Sequence, residues 1–423
     1  MFSPQLRACI FSASSVLVAS QHSQASELTN YNDPNSSKLV QAFQQRHLHV
    51  VQFGDSHTAA DVFTDHLRVR LQSALGNGGM GWAMPMYFSG QRLTRFGYDN
   101  TGWSAISSRT QSNENYGLGG LIAMPQYNGA SLTLKPKLSE QRQTITVSLR
   151  QAPEDGEFVG TDAEGQSFHI SAPIKNNHWQ TTTFSATLPF TIKADNANHS
   201  AIGGWWAKNS NNQGAVVSAL GINGAELSYW NRWSNDWKTE LGNIAPDLII
   251  LAYGTNEAYN DHLDITRSQT LLTEKIAEIR HASPNSAILI VSAPESLKKT
   301  SGQCGVRPIK LDAMQAMQQQ VAQTSHTLYW DWQQAMGGRC SMQTWIKRGD
   351  GRNDGVHFTA SGYQKLGNML ANDLLNFAGQ SNTNSVNQTQ AVTRTANQFI
   401  ATSPGYAQIC NVDTNDCKTS LQK

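Results

Sequence analysis

The chain has 423 residues, with 32 lysines and arginines against 31 aspartates and glutamates, a net charge of +1. That balance, with charged residues at only 15% and no basic stripe, argues against a nucleic-acid partner. The length suffices for a substantial core and two structural units, and Gly, Asn, Gln, Ser, Thr and Trp beside few charges fit an exported glycan-handling protein.

Arg7, the small and apolar residues Ala8 to Ala19, and Ser23-Gln24-Ala25 read as a signal peptide, residues 1–25, cut after Ala25. The stretch is too short to span a bilayer, and no later segment is long and apolar enough to do so. A periplasmic or otherwise exported location is therefore expected. Losing the leader removes Cys9 and leaves Cys304, Cys340, Cys410 and Cys417, an even number suited to an oxidising compartment. The pairs expected are Cys304 with Cys340 and Cys410 with Cys417. Their spacing is not that of a zinc site, and neither a metal nor another cofactor is expected.

The first strand expected is Leu48 to Phe53, followed by Gly54-Asp55-Ser56-His57-Thr58 and by a helix over Asp61 to Leu75, where Val62, Leu67, Leu71 and Leu75 recur at helical spacing. From Gly90 to Ala207 helical periodicity gives way to short alternating runs, such as Ala130 to Leu134 and Thr144 to Leu149, bounded by Gly, Pro, Asn and Asp. This predicts an antiparallel β-rich domain, residues 90–207, inserted into a host formed by 26–89 and 208–378. Its Trp103, Trp179, Trp205 and Trp206 are either core or sugar-stacking side chains, Trp103 being the first candidate for substrate binding.

After the apolar run Ala215 to Leu220 come Gly221-Ile222-Asn223-Gly224-Ala225, the buried-type strand Asp247 to Tyr253, and Gly254-Thr255-Asn256-Glu257. A helix over Thr266 to His281, a strand Ala287 to Ser292, a helix Lys310 to Thr324, a strand Leu328 to Trp330 and a helix Ser361 to Phe377 follow. Continuous apolar strands alternating with amphipathic helices predict a parallel sheet covered on both faces. The Leu311, Met314, Met317 and Val321 stripe reads as core. Residues 379–423 are rich in Asn, Thr, Gln and Ser and read as an irregular polar tail tied by a Cys410 to Cys417 loop.

Ser56 falls where a strand turns sharply into a helix, a position that lifts a hydroxyl off the strand end beside free N–H groups. Gly-Asp-Ser is also ordinary turn chemistry. The distant Asp354-Gly355-Val356-His357, an acid three positions before a histidine, offers both other members of a serine triad from one turn. Parallel strands end at one edge, so Ser56, Gly224, Asn256 and His357 are expected to converge there. A glycine N–H and an asparagine amide are the donors an oxyanion hole needs.

In that order the four blocks resemble the SGNH hydrolases of the GDSL esterase and lipase superfamily. Within it, Gly54 to Asp61, Gly221 to Ala225, Gly254 to Glu257 and Asp354 to Thr359 look like the peptidoglycan O-acetylesterases of the Gram-negative periplasm, which carry a β-rich, carbohydrate-binding-like module between the first two blocks. The likeness covers about Leu39 to Phe377, and His57 replaces the leucine of Gly-Asp-Ser-Leu. The resemblance implies a three-layer α/β/α fold with a parallel sheet, interrupted by the β-rich insert, and cofactor-free ester hydrolysis. It also implies a catalytic Ser56, Asp354 and His357, an oxyanion hole of Ser56, Gly224 and Asn256, and O-acetylated peptidoglycan or another acetylated glycan as substrate.

Three readings compete. Asp55-Ser56-His57 also opens two-metal phosphoesterases, but the Gly-Asn-His-Asp and Gly-His-x-His runs that class needs are missing. A glycan-binding protein without activity would not need four intact blocks. A lipase or thioesterase would need an apolar acyl groove. His66, His262, His281 and His326 have no partner spacing and read as surface residues.

Overall fold

The computed structural model describes residues 26–379 and two short strands beyond them, Ala407–Cys410 and Cys417–Ser420. The expected leader lies outside the described residues. In the tail, read as irregular, those two strands pair antiparallel with Cys410 opposite Cys417, while the side chains needed for a bridge there lie outside the description.

The host is built on a six-stranded sheet in the order Leu28–Asn30, Leu328–Trp330, Ala287–Val291, Leu248–Ala252, His47–Gly54, Gly214–Gly221. Five strands are parallel, and Leu28–Asn30 closes one edge antiparallel against Leu328–Trp330. The strands are apolar on both faces because both are covered. Leu48, Val50, Ala215, Val217, Leu248, Ile250 and Leu289 face Leu39, Phe43, Phe63, Leu67, Leu71 and Leu370 from helices Ser36–Gln44, Val62–Leu75 and Ala360–Phe377. Alternate residues Val51, Phe53, Ile249, Leu251 and Ile290 point the other way, toward helices Trp237–Ile244, Ile265–Ala282 and Leu311–Thr324. Three layers result. Leu311, Met314, Met317 and Val321 are core, as their spacing predicts.

The register of the central strand positions the chemistry. His47–Gly54 pairs in parallel so that Gly54 stands level with Gly221 on one side and Ala252 on the other. Three chain segments therefore leave the sheet at the same height. Gly54 must be glycine for want of room: a Cβ there would lie 2.7 Å from the Ala252 carbonyl oxygen.

The β-rich unit is two stacked antiparallel sheets. One runs Ser167–Ile170, Glu157–Thr161, Phe190–Asp195, Ser131–Pro136, Phe96–Thr101. The other runs Trp179–Ala186, Gln143–Arg150, Ala201–Asn209, Leu121–Pro125, Trp103–Ser107, with Gly81–Ala83 pairing on Ala201–Asn209. Phe168, Phe184, Phe190 and Trp205 pack edge to face and stacked between them. Gly81–Ala83 lies ahead of the expected boundary at Gly90, because three residues are too few to show a strand's alternation.

The unit is joined to its host by a continuous core in which Trp82, Val147 and Trp205 belong with Val51, Leu251 and Trp237. Glu240 of the host reaches into the sandwich: one oxygen accepts the Leu118 N–H at 2.7 Å, the other the Ser148 hydroxyl. Burial pushes its carboxyl up to about 7.

Cys304 and Cys340 form a disulfide across a sequence separation of 36, as expected. Closing a loop of that length restricts the unfolded chain, so Cys304→Ser, or reduction of the wild type, should lower the unfolding free energy by roughly 2 to 4 kcal/mol. The change is read as a lower unfolding free energy extrapolated to zero urea, compared with the oxidised wild type; an unmoved value contradicts it.

Candidate active site

Leaving Gly54, the chain turns at once into the short helix Ser56–Ala59. Asp55 caps it: its Oδ1 accepts the His57 N–H at 2.9 Å and its carbonyl accepts the Thr58 and Ala59 N–H groups. Ser56 is thereby the first residue of a helix, and its N–H has no backbone acceptor among the described residues.

The late loop meets it. Gly355 N–H donates to the Arg352 carbonyl at 3.1 Å and Leu297 N–H donates to the Gly355 carbonyl at 2.8 Å, which pins the turn before the Thr359-capped helix Ala360–Phe377. Asp354 Oδ1 accepts the N–H groups of Val356 and His357 at 2.8 and 2.9 Å, and its Oδ2 lies 2.9 Å from His357 Nδ1. A carboxylate accepts only, so Nδ1 carries the proton and Nε2 is left as an acceptor, 2.9 Å from Ser56 Oγ. Partial burial alone would raise the Asp354 carboxyl, but the hydrogen bonds from His357 and Val356 hold it down at about 2. Asp354 stays ionised throughout the range in which an imidazole works as a base.

The second and third blocks arrive from the level strand ends. Ile222 N–H donates to the Gly54 carbonyl at 3.1 Å and Ala225 N–H to the Ile222 carbonyl at 3.0 Å, a turn that holds Gly224 at φ +69°. A side chain there would also meet the Arg109 guanidinium, 3.1 Å from where its Cβ would sit. The Gly224 N–H has no backbone acceptor among the described residues. Asn256 donates from Nδ2 to the Ala225 carbonyl at 2.9 Å, while its other contact, to Asp55 Oδ2, is long at 3.5 Å. The sequence had placed Ser56, Gly224, Asn256 and His357 at one edge, and the fold brings all four there.

Other positioning groups were not legible as such. Glu257 accepts the Gly254 N–H at 3.0 Å and the Leu227 N–H at 2.9 Å, tying the third block to the segment after the second, and burial pushes its carboxyl up to about 7. His57 is buried under the His357 imidazole, ring centroids 5.4 Å apart, with Nδ1 2.8 Å from the Tyr363 hydroxyl. Burial, and then the neighbouring His357, push its pKa down to about 3, so it stays neutral and leaves an imidazolium at His357 unopposed.

Trp103 is corrected. It is only 8% exposed and stacks on Phe158 with centroids 5.6 Å apart, so its face is taken by the sandwich core; Trp179, Trp205 and Trp206 are buried too. The aromatic on offer is Tyr87, 54% exposed, at the wall of a crevice of about 430 Å³ that also holds Ser56, Arg92, Asn223, Arg352 and His357. Nor is the β-rich unit merely adjacent, since Arg109, on its loop between Trp103–Ser107 and Leu121–Pro125, packs over Gly224. A cation or an isolated tyrosine in a loop has no periodicity to announce it.

Residues 78–191 match the family described as peptidoglycan O-acetylesterase, N-terminal, and residues 183–365 the GDSL-like lipase/acylhydrolase family. A solved peptidoglycan O-acetylesterase is similar at 36% identity and TM-score 0.77, covering 84% of this chain and 100% of that one. A GDSL-like lipase structure from Parabacteroides merdae is 16% identical over 40% of this chain and 74% of its own, TM-score 0.32. A family two carbohydrate esterase from Cellvibrio japonicus is 12% identical over 66% and 99%, TM-score 0.29. Likenesses that slight carry no argument. No curated protein matches the chain.

Ser56→Ala and His357→Ala should leave the fold intact and lower kcat by about 10³ to 10⁶-fold, with Asp354→Ala milder, because the three act as a unit. Asn256→Ala should cost about 10² to 10³-fold, mainly in kcat, if its amide meets the transition-state oxyanion. A change confined to KM would make Asn256 a ground-state contact.

Burial, against the pull of the His57 N–H, Thr255 and His357, raises the Asp55 carboxyl to about 6. An unfolded aspartate ionises near 4, so between about pH 4 and 6 the native state holds the extra proton and stability falls as pH rises. Asp55→Asn keeps the acceptor for His57 and should remove roughly 3 kcal/mol of that fall, measured by urea unfolding at pH 4 and 7. An unchanged difference between the two pH values contradicts it.

Proposed function

The chain belongs to the peptidoglycan O-acetylesterases among the GDSL-type acylhydrolases, and on that premise we propose that it removes acetyl groups through an acetyl-serine on Ser56. It is a carboxylic ester hydrolase acting on O-acetylated peptidoglycan. The single observation that supports the serine route is the unbroken relay Ser56 Oγ to His357 Nε2, and Nδ1 to Asp354, at 2.9 Å per step.

His357 takes the Ser56 proton as Oγ attacks the acetyl carbonyl, and Asp354 holds the tautomer and stabilises the imidazolium. The oxyanion forms against the Ser56 and Gly224 N–H groups and the Asn256 amide. Its collapse expels the sugar hydroxyl, protonated by His357, and water deprotonated by the same imidazole releases acetate. O-acetylated muramic acid is the unit acted on, outside the cytoplasm, where this polymer lies. The long tail of a lipid ester finds no place in this reading.

Acetate release should be fastest on O-acetylated peptidoglycan, slower on acetylated xylan and slowest on long-chain esters, all unaffected by chelators. Long-chain esters turning over best would replace this reading by a lipase, and loss of activity in chelator restored by zinc would overturn the serine route.

A further inference from the structure

Hydrolysis of an acetyl ester needs room for the acetyl group and a water molecule. The crevice holding Ser56 and His357 measures about 430 Å³, within the ~300 to 1,000 Å³ of pockets that bury a whole ligand. Its walls therefore meet sugar as well as ester. Among the exposed large hydrophobic side chains of the described residues, the aromatic ones are Tyr87, at 54%, and Tyr127, at 48%. The Tyr127 ring lies over Gly102, where a Cβ would collide with it. Tyr87 lines the crevice, and among the described residues no ring or cation packs on its face and no group hydrogen-bonds its hydroxyl.

The chain on either side holds this ring in place. Met86 and Phe88 are each 5% exposed and packed in the core that the two units share, so the backbone at Tyr87 is fixed from both directions while its side chain is left outside. Hydrogen bonds extend the anchorage. The Pro85 carbonyl accepts the Trp205 indole N–H at 3.0 Å, the Phe88 carbonyl accepts the Gln91 N–H at 3.1 Å, and the Gly90 carbonyl accepts Asn223 Nδ2, one residue before Gly224. Farther on, the Arg92 N–H donates to the Ala59 carbonyl at 3.3 Å, at the end of the helix that begins with Ser56. A tyrosine has two side-chain torsions, and one on so fixed a backbone loses little freedom when a ligand covers it.

We propose that Tyr87 selects glycan esters over small ones by stacking its ring on the C–H face of a pyranose of the substrate. The proposal rests on the peptidoglycan reading and adds to it the residue that holds the sugar. A pyranose whose hydroxyls are equatorial presents weakly positive C–H groups on its faces, and the face of a tyrosine ring is negative. Its hydroxyls are left at the edge, where the polar side chains of Ser89 and Asn223 also line the crevice. Stacking on an aromatic side chain is worth about five- to a hundredfold per ring for nucleobases, and a sugar face of similar area is expected to fall in the lower part of that range.

The test measures kcat and KM of the wild type and of Tyr87→Ala, Tyr87→Leu, Tyr87→Phe and Tyr87→Trp on a chromogenic acetate, on O-acetylated muramic acid and on the O-acetylated disaccharide of the glycan strand. Tyr87→Ala and Tyr87→Leu are expected to lose about tenfold more on a sugar ester than on the chromogenic acetate, through KM, while Tyr87→Phe and Tyr87→Trp keep the wild-type ratio. A loss already present on the monosaccharide assigns the stacked ring to the acetylated sugar, one on the disaccharide alone to its neighbour, and either supports the proposal. An unmoved ratio in Tyr87→Ala overturns it while leaving the esterase intact. So does Tyr87→Phe falling as far as Tyr87→Ala, which makes the hydroxyl the contact, or Tyr87→Leu keeping the wild-type ratio, which makes any apolar surface sufficient. If the wild type hydrolyses the chromogenic acetate and neither sugar ester, the peptidoglycan reading fails and this proposal with it.

Discussion

The parallel register that sets Gly54 level with Gly221 and Ala252 is the constraint on which the rest of the site depends. Each of these strand ends leads within a few residues to one residue of the proposed site, Ser56, Gly224 and Asn256. Their convergence is a property of backbone hydrogen bonding before it is one of side chains. Slipping a parallel strand by one residue would turn its apolar side chains to the opposite face and carry its loop out of reach of the others. The same ladder that buries Val51, Phe53, Ile249 and Leu251 against the helices therefore fixes how these three segments stand relative to one another. The fourth block arrives from outside the sheet, and its turn is held by Asp354, which both folds the loop through two N–H groups and aims the imidazole.

The second consequence concerns the β-rich unit. Its core merges with one face of the host's sheet, and Glu240 is shared across the junction. A separately moving binding module would show neither. Arg109 of the β-rich unit lies over Gly224 of the host, so the two units meet beside the crevice that holds Ser56 and His357. The buried carboxyls of Asp55, Glu240 and Glu257 sit in the joints beneath the surface.

What was legible in the sequence follows from periodicity and spacing. The strands His47–Gly54, Leu248–Ala252 and Ala287–Val291 are uninterrupted apolar runs, and the helices Val62–Leu75 and Leu311–Thr324 carry their core residues at turn spacing, so these elements were legible within a residue or two at each end, whereas the shorter covering helices Ser36–Gln44 and Trp237–Ile244 were not. Ser56, Asp354 and His357 stood out because each sits in a short motif whose spacing has a mechanical meaning. Gly81–Ala83 was too short to announce itself, and Leu28–Asn30, at three residues, lacks any pattern. Trp103 misled because composition records an aromatic but not which face of a sandwich it occupies. Tyr87, Arg92, Arg109 and Arg352 are ordinary loop residues in sequence, and only the closing of the sheet edge around Ser56 makes them neighbours of one crevice.

The most direct test of the account is mass spectrometry of the protein quenched during turnover of O-acetylated peptidoglycan. The account predicts one added acetyl group on the peptide containing Ser56, gained only while substrate lasts and lost as acetate appears. Acetate released in full while Ser56 stays unmodified, with the acetyl group found on another side chain or the Ser56→Ala protein equally active, would contradict it.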